Sequence, residues 1–288
     1  MTAMNDQKMW PPPWLMFPQL ECGSMGWRMG AGEAFLEDRM PWWSALAPEE
    51  REAYHRLFPA PLPWQRRSED RELMLRQGKL VLPLWQPDGR PRYDRRWAIN
   101  AEAAGELPAV LPFWGHTPAK DGSTTKACFS QWWKSGFVFG GVEYSCMEQC
   151  MMAGKALLFE DMDSYKVIMA EADPKSIKKL GRRVTPFDCA VWDRVKHSLI
   201  LNGNYSKFTQ NDALRQFLLS TGDSLLVEAS PYDTIWGIGL GSDHPDVQHP
   251  GKWRGGNLLG FALMEVRDEI RRVYAHADAC REILENWR

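Results

Sequence analysis

Residues 146–159 hold the first pattern that could do chemistry. Glu148, Met151, Met152 and Lys155 are spaced i, i+3, i+4, i+7, which on a helix puts a carboxylate and an amine along one stripe with two methionines between them. A carboxylate moves protons and a neutral amine attacks an electrophilic carbon, so the pair suits acid–base or covalent catalysis. Each residue also has an ordinary reading. Glu148 closes an S-x-x-E capping box opened by Ser145, and Lys155 lies on the surface with its stem on apolar neighbours. A second acid, Asp233, stands in Glu-Ala-Ser-Pro-Tyr-Asp-Thr-Ile-Trp-Gly-Ile-Gly-Leu, residues 228–240. In that run Gly237 and Gly239 let backbone amides approach a ligand, while Trp236 offers a ring to stack on it. Gly237-x-Gly239 lacks the third glycine of a dinucleotide fingerprint, and no P-loop lysine pattern accompanies the other glycines. Arg182 and Arg183 follow Gly181, where they either favour a helix C-terminus or grip phosphate oxygens as a fork. Read by themselves, these residues describe a cleft of acid, amine, arginine and tryptophan.

The elements that must position them are legible from about residue 110 onward. Strands are expected at 110–114, 136–139 and 142–144, with Gly140-Gly141 turning the last two into a hairpin. The helix over 146–159 follows, then helices at 163–172, 174–180 stopped by Gly181, 188–201, and 211–220 stopped by Gly222. A strand at 224–229 leads into the Asp233 loop. A long helix begins near Asn257, with Leu259, Leu263, Val266 and Ile270 at core spacing. Helices outnumber strands without β-α-β alternation, so the expected fold is α+β, mainly helical with a small sheet.

The first hundred residues are of another kind. Fifteen of the 20 prolines fall at or before Pro118, and eight of the 15 tryptophans lie before residue 101. Short helices are expected at 48–58 and 68–77, then a hairpin of 80–85 and 92–99 around Gln86-Pro-Asp-Gly-Arg-Pro. The expected division is a Trp/Pro-rich N-terminal module of unknown role at 1–109, with its tryptophans packing rather than binding, and a second domain at 110–288.

Composition sets the outer bounds. Of 288 residues 44% are hydrophobic and 25% charged, ordinary globular usage. Thirty-five basic residues against 37 acidic ones leave no global charge to hold nucleic acid or an anionic membrane. No apolar run is long enough to span a bilayer and no signal-peptide pattern opens the chain, so a cytoplasmic protein without membrane association is expected. The six scattered cysteines read as reduced thiols, and no metal or cofactor is expected.

Over about residues 110–272 the chain resembles the NADAR family. The resemblance rests, in order, on Phe129-Ser-Gln-Trp, EYSCMEQCMMAGKALLFED from Glu143, Leu180-Gly-Arg-Arg-Val, Phe187-Asp with Trp192, Lys207-Phe with Gln210-Asn211, Thr221-Gly-Asp, Val227-Glu-Ala-Ser-Pro with Asp233, Ile235-Trp-Gly-Ile-Gly-Leu, and Trp253-Arg-Gly-Gly-Asn-Leu-Leu-Gly. It implies an N-glycosidase that hydrolyses a ribose C1′–N bond, in ADP-ribosylated guanine or in a riboflavin-pathway phosphoribosylamino-pyrimidine. It further implies Lys155 as a Schiff-base nucleophile, Glu148 serving that lysine, and Asp233 on the ribose hydroxyls. Phe129, Ser130, Glu143, Arg183, Trp192, Trp236, Gly237, Gly239, Trp253 and Asn257 are the substrate contacts expected from it. An oxocarbenium route with two carboxylates and no covalent step remains open. So does a non-catalytic module that binds ADP-ribose or a related nucleotide. The expected partners are the nucleotide-like substrate and a protein met through the N-terminal module.

Overall fold

A computed structural model describes residues 9–64, 72–75, 80–83 and 90–287. The elements in chain order are α1 Pro13–Met16, α2 Ala31–Ala45, α3 Pro48–Leu57, β1 Glu72–Leu75, β2 Leu80–Pro83, α4 Arg95–Ala104, β3 Val110–Phe113, β4 Phe137–Phe139, β5 Val142–Tyr144, α5 Met147–Leu158, α6 Met162–Ala170, α7 Pro174–Gly181, α8 Cys189–Thr209, α9 Asp212–Ser220, β6 Leu225–Glu228, α10 Leu258–Tyr274 and α11 Arg281–Asn286. The fold is α+β, as expected. Among the described residues the strands form three two-stranded sheets, β1–β2 and β4–β5 antiparallel and β3–β6 parallel.

The chain forms two compact units, 1–67 together with 269–288, and 68–268. The division therefore falls at residue 67 instead of near 110, and the last residues group with the first. Within the smaller unit the tryptophans pack on one another. Trp10 meets Phe35, Trp14 and Trp27 both meet Trp64, and Phe17 and Phe35 meet Trp287 at ring-centroid distances of 5.3–5.8 Å. Arg39 lies over the Trp43 ring at 4.5 Å, a cation–π contact inside the same cluster.

The larger unit is organised around α5, of whose twelve residues only Lys155 and Leu157 are not fully buried. Helices α6, α7 and α8 surround it. Two of the contacts require glycine, since a Cβ at Gly181 would collide with Met152 and one at Gly154 would sit 2.8 Å from Leu199. Helix α8 runs two turns past its expected end, through Lys207-Phe208 to Thr209. Asn202 and Asn204 donate back to the Ser198 and Ile200 carbonyls, which keeps poor helix formers inside the helix.

The segment before β3 departs from expectation. Residues 95–104 are helical, because Asp94 accepts from the Trp97 amide as an N-cap and Gly105 closes the last turn at φ 72°. The strand expected at 92–99 is thus absent. β2 pairs instead with β1, where a helix over 68–77 was expected; residues 84–85 of the expected strand and 86–89 of the expected turn lie outside the described residues. The new helix is tied to the rest of its unit. Tyr93 donates to Asp268 at 2.7 Å, Arg95 to the Pro250 carbonyl at 3.0 Å, and Glu102 bonds His249 at 2.7 Å.

Candidate active site

The Asp233 loop leaves the carboxyl end of β6 and folds back on itself. Asp233 Oδ1 accepts from the amides of Ile235 and Trp236 at 3.0 and 2.9 Å, the Ile238 amide returns to the Glu228 carbonyl, and the Arg254 amide bonds the Ile238 carbonyl. Gly237 is required for this closure, since a Cβ there would stand 2.8 Å from the Glu228 carbonyl. Gly239 holds φ 69° against the side of Arg254, a conformation that glycine adopts freely. With one carboxylate oxygen spent on the loop, Asp233 turns the other, Oδ2, to Lys178 Nζ at 3.4 Å.

Lys178 is the amine of the site. It comes from α7, which Asp173 caps by accepting from the Ser176 amide, and its Nζ lies 6.0 Å from the centre of the Trp132 ring. The Trp132 indole donates to Glu148 Oε2 at 3.2 Å. Glu148 Oε1 is buried with no hydrogen-bond partner among the described residues. Burial pushes the Glu148 carboxyl up to about 7, and Asp233 adds to the rise, while Lys178, the Trp132 bond and Arg182 oppose it. Glu228 joins the group from the end of β6. Burial, then Asp233 and Glu148, raise its carboxyl to about 8 against the pull of Lys178, and its Oε2 also lacks a partner among the described residues. Glu148, Asp233, Glu228, Lys178 and Trp132 thus form one electrostatically coupled cluster. It can hold and release protons near neutral pH beside an amine.

Glu148 is not part of a capping box. The Ser145 amide is taken by Gln149 Oε1 at 2.8 Å, which frees Glu148 to face the cluster. Lys155 lies outside it. Its Nζ donates to the Gly181 carbonyl at 2.9 Å, under Phe187 at 4.2 Å and Trp192 at 5.9 Å, and burial lowers its pKa. Glu148 therefore answers to Lys178 and not to Lys155. Spacing on one helix points to Lys155, whereas packing brings Lys178 in from α7.

Several of the other expected contact residues are buried or hydrogen-bonded within the fold. Phe129 is fully buried against Phe113, Phe208 and Phe217. Trp236 and Trp253 are 8% and 3% exposed, and the Trp253 indole is spent on the Val247 carbonyl. Asn257, buried at φ 53°, accepts from the Glu228 amide and donates to the Leu226 carbonyl at 2.9 Å each, pinning α10 to β6. Ser130 Oγ accepts from the Trp132 amide and so aims that ring. Arg183 is exposed past the end of α7, Glu143 is exposed on β5, and Trp192 flanks Lys155. Sequence reading did not single out Lys178, Trp132 or Glu228, although Trp132 lies beside Phe129-Ser130 and Lys178 just before Leu180-Gly-Arg-Arg. Among the described residues no three His, Cys, Asp or Glu side chains are placed to hold a metal ion, and no helix is long and apolar enough to cross a membrane.

The sequence profile of the NADAR domain matches residues 112–271. N-glycosidase R617 of Acanthamoeba polyphaga mimivirus is 47% identical over 146 residues, 49% of this chain and 86% of that protein. Protein irg-1 of Caenorhabditis elegans is 37% identical over 161 residues, 50% of this chain and 76% of its own length. N-glycosidase YbiA of Escherichia coli is 34% identical over 116 residues, 40% and 66% respectively. The NMR structure of the E. coli protein YbiA aligns with 63% of this chain and 91% of its own at 25% identity, with a TM-score of 0.44. The chain belongs to the NADAR family. Its enzymatic class is that of its named relatives, hydrolysis of an N-glycosyl bond.

Proposed function

We propose that the cluster at the carboxyl end of β6 hydrolyses the bond between a ribose C1′ and the nitrogen of a base in a nucleotide-like substrate. Lys178 is the nucleophile. The coupling of Lys178 to Asp233 and Glu148, two acids held in different environments, carries the reading. The Lys178 amine attacks C1′, the C1′–N bond breaks, and the base leaves with a proton from a protonated carboxyl. Glu228, held up to about 8, is protonated at neutral pH and supplies that proton. The lysine-bound sugar opens to an iminium, and water adds to its carbon. Collapse releases ribose and restores the amine, while Glu148, titrating near 7, takes the proton of the water. Asp233 steadies the ribose hydroxyls or the lysine, and Arg182 and Arg183 supply positive charge for a phosphate.

One observation favours the route without a covalent step. The ion pair of Lys178 with Asp233 at 3.4 Å occupies the amine, which leaves carboxylates to stabilise an oxocarbenium-like state. Incubating the protein with an oligonucleotide carrying ADP-ribosylated guanine and, separately, with phosphoribosylamino-pyrimidine, with and without borohydride, tests both. A sugar adduct on Lys178 supports the lysine route. Turnover with no adduct, retained by Lys178→Arg, supports the other. Absence of base release from either substrate rejects the reading as a whole.

A further inference from the structure

Lys207 is fully buried on α8, in the stretch by which that helix outruns its expected end. Its Nζ donates to the Cys128 carbonyl at 2.7 Å and to the Ser130 carbonyl at 3.1 Å. No carboxylate among the described residues faces it. The titratable groups beside it are the Cys128 and Cys146 thiols, both raised by burial, Cys128 to about 11, so the amine has no anionic partner. An apolar side chain of similar length would fill the space without the cost of burying an amine. What the lysine adds is its pair of hydrogen bonds.

Those bonds fall on the backbone that carries the indole of the site. The short 3-10 turn Lys126–Phe129 leads into residues 130–132. There Ser130 Oγ accepts from the Trp132 amide at 3.1 Å, and the Gln131 carbonyl accepts from the Glu148 amide at 2.9 Å. Trp132 then donates its indole N–H to Glu148 Oε2. Glu148 is thus joined to this stretch through both its amide and its carboxylate, while Lys207 fixes the other end of the same stretch. The remaining titratable groups around Glu148 arrive by other routes: Lys178 and Arg182 from α7, Asp233 and Glu228 from the end of β6, and the Cys146 thiol from the residue before α5. Among these influences the indole bond favours the ionised carboxylate and opposes burial.

We infer that Lys207 is a positioning residue for Glu148: by pinning the carbonyls of Cys128 and Ser130 it keeps the Trp132 indole on the carboxylate, and so sets the pH at which that acid exchanges its proton. The inference rests on the N-glycosidase reading for the reaction that Glu148 serves. Burial lowers the Lys207 amine to about 8, yet a neutral amine retains two N–H groups, enough for two carbonyls. Its own titration therefore does not release the stretch.

Glutamate labelled with carbon-13 at the side-chain carboxyl, followed by NMR without substrate and assigned with Glu148→Gln, reads the titration midpoint of Glu148 directly. In Lys207→Met the midpoint is expected to rise by about one pH unit, because the carboxylate loses its indole donor. Trp132→Phe raises it alike, and the double variant adds nothing further, since both changes remove one bond. Lys207→Arg, which keeps a long donor, restores most of the wild-type value. Base release follows the acid: at pH 6 the kcat of Lys207→Met falls about tenfold while KM stays within about twofold. A folded Lys207→Met with the wild-type midpoint overturns the inference, and so do shifts that add in the double variant. If Lys207→Met alone does not fold, Lys207→Gln, a shorter donor, decides by the same titration, a raised midpoint supporting the role and an unchanged one ending it. Failure of every Lys207 variant to fold makes the lysine a residue of stability alone and overturns the assignment. A raised midpoint in a protein that releases no base would leave the hold on Glu148 standing and remove the hydrolase reading.

Discussion

Two lysines compete for one role, and they differ in what they touch. Lys178 faces Asp233, while Lys155 is bound to the carbonyl that ends α7. Lys178→Ala is expected to lose base release by at least a thousandfold with the fold intact, as judged by circular dichroism. Lys155→Met is expected to keep kcat within about tenfold and to lower the unfolding temperature, since it leaves the Gly181 carbonyl without its charged donor. If the losses are reversed, the nucleophile is Lys155. The acids make a second forecast at this scale. The unfolded chain releases the protons of Glu148 and Glu228 from about 4.5 upward, the folded chain only near 7 and 8. Stability therefore falls as pH rises across that window, by at most about 3 kcal/mol for Glu148. Glu148→Gln should flatten the decline in thermal unfolding followed from pH 5 to pH 9. The rate of base release should fall as pH passes about 8 and Glu228 loses the proton it donates. A profile unchanged in Glu228→Gln would show that the leaving base takes its proton from elsewhere.

At the scale of elements, the site depends on how α10 is fastened to β6. Asn257→Ala removes both bonds to that strand from a buried residue at positive φ, and it is expected to cost about 3 kcal/mol of stability. It should also lower kcat more than it raises KM, because Glu228 shifts with its amide. Urea unfolding and steady-state kinetics on the same variant check both. The sequence showed these elements well wherever local signals were strong. Asp173, Gly140-Gly141 and the apolar stripe of α10 each mark a boundary or a face by chemistry within a few residues. It misled where the deciding contact was distant. Glu148 has the position of a capping residue, and only the indole of Trp132 and the arrival of α7 make it a member of the cluster. Asp94 is a plain N-cap signal that an alternating pattern over 92–99 obscured. Phe129, Trp253 and Asn257 stand in recognisable motifs, but motifs mark support as readily as contact, and burial alone separates the two.

For the whole molecule, the division into 1–67 with 269–288 and 68–268 changes what a truncation should do. A chain cut to begin at residue 110 loses the Tyr93, Arg95 and Glu102 bonds within the larger unit, and keeps Trp287 without Phe17 and Phe35. It is expected to aggregate or unfold well below the full chain's temperature. A chain spanning 68–268 is expected to stay soluble and to retain base release. Static light scattering and the activity assay distinguish the two, and a monomeric, active fragment beginning at 110 would show that α4 and the aromatic cluster are dispensable.

Because Phe17 and Phe35 pack on Trp287, the smaller unit cannot be completed as it leaves the ribosome. Its early rings and Trp287 are separated in the chain by the whole of the larger unit. At about 5–20 residues per second, the early aromatic rings wait tens of seconds while the larger unit is made. During that interval they are the apolar surface a chaperone would find.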